Sequence, residues 1–352
     1  MAAPPQEVGL GLDFTLGMMF DDQATLAREA AELGYTHLWT PEGSGLDSFQ
    51  LCATRWQASR EVVPEGLTTG ISVSPVAYRT PMGFAMSAGT LGAQTGGRFI
   101  LGIGTGGIYN PAFRKAMGIR TKSSLAVMRD YLTTIRGLLA GEAMDYEGEA
   151  LTVRAQKLGI DPPPRTPVYL GALGPRMLEL GGELSDGICL NWCTPAQIAA
   201  ARTLVDEGSK RGGREPGSVP LTEYIRICVD DDIEVARRGL ARATTGYAMG
   251  PPPTPGSPPI AYRPHFESMG FADELAQLDK LREGGASPDE VANAASDDML
   301  LGVGYYGTLD GAREHFLKLA KGLDVALVRV VAARPGLDSV RAVMRACAPA
   351  DA

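Results

Sequence analysis

The stretch Pro167-Val168-Tyr169-Leu170-Gly171-Ala172-Leu173-Gly174-Pro175-Arg176 decides how this chain is read. Its first four residues are a short apolar run with the character of a buried strand. Gly174 and Pro175 then mark a helix start, because proline fits the first helical turn, where a missing N–H costs nothing. A strand that turns through glycine into a helix is the building unit of a parallel α/β fold. The same turn is a candidate anion site. Free backbone N–H groups and the positive end of the helix dipole converge there, and Arg176 can add a charge. Taken alone, the segment also reads as an ordinary tight turn, so its meaning depends on what surrounds it.

The surroundings repeat the pattern. Strand signals fall at 8–14, 36–40, 67–74, 98–103, 167–171, 187–191, 220–229 and 325–331. Between them lie helix signals at 21–33, 48–59, from Thr80-Pro81 to Gly96-Gly97, at 123–140, from Pro175 and from Thr194-Pro195. The segment 142–153 reads as a small hairpin turning at Glu147-Gly148. Eight β–α units fit either an open doubly wound sheet or a closed (β/α)8 TIM barrel. No disordered linker divides the first 250 residues, which favours the barrel and a single domain over residues 1–352. The Pro-rich stretch 250–260 reads as a loop within a long insertion, about 231–320, between strands 7 and 8.

Composition narrows the function. The chain is 44% hydrophobic with a net charge of −8 and a pI near 5.1, which argues against nucleic acid as a partner. No apolar run is long enough to span a membrane, and the start Met1-Ala2-Ala3-Pro4-Pro5-Gln6-Glu7 lacks the basic and apolar regions of a signal peptide. A cytoplasmic protein is expected. The cysteines Cys52, Cys189, Cys193, Cys228 and Cys347 are odd in number and scattered, and read as reduced, mostly buried thiols. Only His37, His265 and His315 supply imidazoles, which disfavours a catalytic triad or a three-histidine metal centre; no metal site is expected.

Gly102-Ile103-Gly104-Thr105-Gly106-Gly107 has the spacing of a dinucleotide fingerprint. That reading needs a second strand ending in an acid about 20 residues on, and here the position falls inside the helix starting at Ser123. In a barrel the same glycines end strand 4 on the active face, where missing side chains admit a flat ring or a phosphate. Strand 3 ends there too, in Gly70-Ile71-Ser72-Val73-Ser74-Pro75. Glu42 follows strand 2 and reads either as an orienting acid or as a loop carboxylate. Asp13, Asn191, Trp192 and Tyr224 are further polar or aromatic groups near strand ends, and His265 reads as a surface or packing residue of the insertion.

In this order, these pieces resemble the luciferase-like flavin and deazaflavin oxidoreductases, from about residue 8 to 345. The resemblance is closest to the actinobacterial branch that uses coenzyme F420. The stretches that carry it are Leu38-Trp39-Thr40-Pro41-Glu42-Gly43, Thr80-Pro81, Gly96-Gly97-Arg98-Phe99-Ile100-Leu101-Gly102-Ile103-Gly104, Asp145-Tyr146-Glu147-Gly148, the run from Pro167 to Met177, and Ser185-Asp186-Gly187. The resemblance implies a TIM barrel with one deazaflavin or isoalloxazine ring over its C-terminal face. It implies a non-prolyl cis peptide at Ser72–Val73 beneath that ring. Gly104, Thr105 and Gly106 would flank the ring or its tail, and Gly171, Ala172, Leu173, Gly174, Pro175 and Arg176 would hold the phosphate. F420-dependent sugar dehydrogenases of this family carry a histidine and a glutamate where this chain has Gly43 and Gly107, so sugar oxidation is not expected.

The expected function is hydride transfer between F420 and a small organic substrate, held among Asp13, Asn191, Trp192 and Tyr224. Glu42, a tyrosine or solvent would move the proton. The alternatives are an FMN-dependent monooxygenase, fed by a partner reductase and able to activate oxygen, and a non-catalytic flavin-binding barrel. A homodimer is the expected assembly.

Overall fold

Eight parallel strands carry the structure: β1 (Glu7–Gly11), β2 (His37–Thr40), β3 (Thr68–Pro75), β4 (Phe99–Gly104), β5 (Val168–Gly171), β6 (Gly187–Asn191), β7 (Leu221–Val229) and β8 (Val325–Val330). Each pairs with its successor, and β8 pairs back to β1, which closes a (β/α)8 barrel. The computed structural model describes residues 5–13, 16–108, 110–121, 123–161, 163–164, 166–250 and 262–349. β1 stops at Gly11, short of the expected end at Phe14, and Phe14 lies outside the described residues, as does nearly all of the Pro-rich loop.

The strands are buried on both faces, as parallel strands covered by helices must be. All nine residues of β7 are buried. Alternate side chains serve two cores. Leu10, Leu38, Leu101, Leu170, Ile188, Ile225 and Val328 face the helical layer. Trp39, Ile100, Tyr169, Cys189, Tyr224 and Leu327 fill the barrel interior. Large rings fit there because glycines face them. A Cβ on Gly70 would lie 2.5 Å from the Trp39 ring, and one on Gly187 would lie 2.3 Å from that of Tyr169.

The helix starts follow local chemistry. Thr80, Ser123 and Thr194 accept N-terminal N–H groups of the helices Pro81–Gln94, Ser124–Leu139 and Pro195–Arg211, and Pro81, Pro175 and Pro195 occupy first turns. The expected hairpin pairs Met144–Glu147 with Thr152–Gln156. Between β7 and β8 the insertion is largely helical, with Ile233–Ala248, Ala272–Glu283, Pro288–Asn293, Asp297–Val303 and Leu309–Leu319. It has its own core around Leu240, Phe266, Leu275 and Met299. It also contributes a ninth parallel strand, Gly304–Gly307, on the upper half of β7, which the sequence reading missed. Among the described residues, no helix is long and apolar enough to cross a membrane.

Candidate active site

The C-terminal ends of the strands open into a cavity of about 550 Å³. Its lining includes Glu42, Ser72, Val73, Gly104, Thr105, Gly106, Gly171, Ala172, Leu173, Gly174, Asn191 and Tyr224, most of the residues singled out from sequence. The peptide Ser72–Val73 is cis. Val73 sits between two glycines: a Cβ on Gly104 would lie 2.5 Å from one Val73 methyl, and one on Gly171 would lie 3.0 Å from the other. A Cβ on Gly106 would meet Pro75 at 2.6 Å. These glycines therefore make room for the β3 end, not directly for a ligand as expected. Gly174 is different. A Cβ there meets nothing within 4 Å, so the turn is open to the cavity.

Gly174 caps the helix Pro175–Leu184; Pro175 has no N–H and the Met177 and Leu178 N–H groups donate to the Gly174 carbonyl at 3.0 Å, so among the described residues the first turn leaves the Arg176 N–H without a backbone acceptor. Pro175 and Arg176 do not line the cavity. Both are exposed.

Glu42 reaches the wall but is spent on protein donors. Arg79 donates to both of its oxygens, at 2.6 and 2.8 Å, and the Ser74 hydroxyl donates to one of them. The Glu42 N–H donates to the Val73 carbonyl at 3.3 Å. Arg79 is braced in turn by Asp47 at 2.5 Å. The side chain that sequence marked as a proton carrier thus ties β2 to the Ser72–Ser74 segment.

The remaining candidates divide. Tyr224 lines the cavity, and its buried hydroxyl has no partner among the described residues. Burial drives its phenol well above the ordinary range. Asn191 donates to the Tyr262 hydroxyl at 2.5 Å and accepts from Arg226. Trp192 lines neither this cavity nor its neighbour. It is fully buried in the insertion core against Tyr247 and Phe266, with φ of +60° turning its ring away from the strand line. His265 packs as expected, its Nε2 facing the Trp192 carbonyl at 2.9 Å. All five thiols are buried and free, and burial pushes Cys52, Cys189, Cys228 and Cys347 up to about 12. Among the described residues no cluster of His, Cys, Asp and Glu could hold a metal.

A second cavity, about 540 Å³, adjoins the first and shares Tyr247 with it. It lies at the ends of β1, β7 and β8 and is lined by Asp13, Arg226, Arg242, Arg329 and Arg334. Arg329 donates to Asp13. The sequence reading passed over Arg226 and Arg329, although a charge near the C-terminal end of an apolar barrel strand is the available signal.

Residues 5–324 match the family model described as luciferase-like monooxygenase. The chain belongs to that family. Among its relatives is the 5,10-methylenetetrahydromethanopterin reductase of Archaeoglobus fulgidus, 27% identical over 329 residues, 92% of this chain and 93% of that protein. An F420-dependent glucose-6-phosphate dehydrogenase of Intrasporangium calvum is 31% identical over 186 residues, 51% of this chain and 56% of that one. The solved coenzyme F420-dependent tetrahydromethanopterin reductase of Methanopyrus kandleri superposes with a TM-score of 0.74 over 97% of each chain, at 20% identity. The last comparison supports the same closed barrel.

Proposed function

We propose that this luciferase-like barrel is an F420-dependent oxidoreductase, passing a hydride between the deazaflavin and a small organic substrate. The observation that carries the reading is the barrel-mouth cavity, with Val73 wedged between Gly104 and Gly171 and an open helix-capping turn at Gly174. It offers a surface for a flat ring beside an open helix start, where the Arg176 N–H and the positive end of the helix dipole can meet an anion. The F420 dependence named for two family relatives supports the choice of cofactor.

When bound, the deazaflavin supplies the carbon that gives or takes the hydride. The remaining work belongs to the chain. Val73 and the backbone of residues 104–106 would support the ring, and the turn 171–176 would hold the phosphate. Glu42 acts here as a positioning residue: through its N–H and carboxylate it fixes the Ser72–Ser74 segment on which the ring would rest. Tyr224, Asn191 and Tyr262 form the wall beside it, the Tyr224 hydroxyl being buried without a partner among the described residues. Gly43 and Gly107 leave the acid and base of sugar oxidation without counterparts, so a substrate other than a sugar is favoured.

Titration of the purified protein with F420 and with FMN tests this reading. Saturable F420 binding and exchange of hydride with it are expected. Tight FMN binding with no F420 binding, together with oxygen uptake on adding reduced FMN, would establish the monooxygenase instead.

A further inference from the structure

Arg226 on β7 and Arg329 on β8 are register partners in the parallel ladder. Both sit in the strand phase that faces the barrel mouth, one step above Tyr224 and Leu327 in the interior core. Each is only 4% exposed. Like charges directly opposite one another repel, and buried charges demand partners.

The partners present do not balance them. Arg329 donates to Asp13 through Nη2, while its Nη1 is buried with no partner among the described residues. Arg226 donates to the Asn191 side chain and the Tyr224 carbonyl, both neutral, and stacks 3.8 Å from the Trp192 ring. Among the described residues no carboxylate pairs with Arg226. A third guanidinium, Arg55, is fully buried in the barrel wall and held by Gln23 at 2.7 and 2.9 Å, again without a carboxylate. On the cavity rim, Arg242 and Arg334 are already paired with Asp289 and Asp230. Burial holds Arg226 below its ordinary pKa, and the charge of Arg329 pulls the same way. The carboxylates that reach the pair are Asp13, on Arg329, and Glu223, which acts on Arg226 through its charge without a hydrogen bond and which burial raises to about 8, so at neutral pH the mouth carries positive charge in excess of them.

We propose that the substrate carries an oxyanion, a carboxylate or phosphate, and that Arg226 and Arg329 bind it in the 540 Å³ cavity beside the ring site. The inference rests on the F420 reading for the word substrate, though not for the oxyanion site itself. A guanidinium binds planar oxyanions through paired N–H donors, which suits it to this task better than lysine. The cavity is far larger than an inorganic ion, so the oxyanion is one end of an organic molecule whose other end reaches the ring site past Tyr247.

The test uses the full-length, cofactor-free protein, titrated with inorganic phosphate and with succinate at ionic strength held constant with chloride. Binding is read by tryptophan fluorescence, since Arg226 lies over Trp192, and by thermal shift. Saturable binding is expected, weakened about tenfold or more in Arg226→Gln and in Arg329→Gln. It should be unchanged in Lys321→Gln, at the opposite end of the barrel. Because Arg329→Gln strands Asp13, a second variant guards the inference: Asp13→Asn removes the competing carboxylate and should tighten phosphate binding severalfold. Binding no stronger than that of chloride overturns the proposal, as does binding indifferent to Arg226→Gln. The titrations are repeated on protein saturated with F420. Additive binding supports a substrate site, whereas competition would assign the arginines to the cofactor's own phosphate and overturn the substrate assignment. Absence of F420 binding with phosphate binding intact would overturn the oxidoreductase reading and leave only the oxyanion site.

Discussion

Replacing Gly104 with alanine should damage the site through one contact. The new Cβ would lie 2.5 Å from a Val73 methyl. Non-bonded carbons settle near ~3.5–4.0 Å, so about 1 Å must be found. Toward β5 Val73 already occupies the space a side chain would fill, its other methyl 3.0 Å from the position of a Cβ on Gly171, so moving that way closes on the Gly171 backbone. Overpacking of this kind costs about 1–3 kcal/mol. The direction left open to Val73 is upward into the 550 Å³ cavity, so F420 affinity should fall about tenfold as well. Val73→Ala removes both methyls and leaves a Gly104→Ala Cβ facing the residue-73 Cβ at 3.4 Å, an ordinary contact. The double variant should therefore recover most of the stability and the affinity lost on Gly104→Ala. Urea unfolding of the four proteins measures the coupling, expected at about 1–2 kcal/mol and opposite in sign to the cost of Gly104→Ala. Strictly additive effects, or a Gly104→Ala protein with unchanged stability and affinity, would refute the wedge.

Three other perturbations follow from the same geometry. Glu42→Gln should lower kcat about tenfold by loosening the Ser72–Ser74 segment while keeping the acid limb of the pH–rate profile in place; disappearance of that limb would return Glu42 to the role of proton carrier. Gly174→Leu meets open space, so circular dichroism and Tm should hold while F420 affinity drops about tenfold; unchanged affinity moves the phosphate away from this turn. Burial raises the Glu223 carboxyl to about 8, with the Cys193 N–H at 2.6 Å and the charge of Arg226 opposing the rise only in part. The folded protein then keeps a proton that the unfolded chain releases near pH ~4.3, so stability falls as pH climbs from there to about 8. In thermal scans Glu223→Gln should gain on the wild type across that window, and a constant difference would show that Glu223 titrates as an ordinary glutamate.

The barrel was legible because its signals are local. Apolar runs of strand length, proline at Pro81, Pro175 and Pro195, and the caps Thr80, Ser123 and Thr194 each report on a few neighbouring residues. The strand Gly304–Gly307 was missed for the complementary reason. It is four residues long and exists only because the upper half of β7 rises past β6 and offers it an edge. The site divides along the same line. The turn at 171–175 could be read, since its glycines and proline act on their own backbone. The fate of Glu42 could not, because Arg79 lies 37 residues away and Ser74 lies 32 away. Arg226 and Arg329 show most plainly what is hidden. In Tyr224-Ile225-Arg226-Ile227 and Leu327-Val328-Arg329-Val330 the charged residue follows the alternation of a strand with one wet face. In a closed barrel that face is the interior, and its uppermost layer is the mouth of the active site. Closure alone, which no single strand records, turns two residues that look solvated into a buried pair, of which Arg329 alone is hydrogen-bonded to a carboxylate among the described residues.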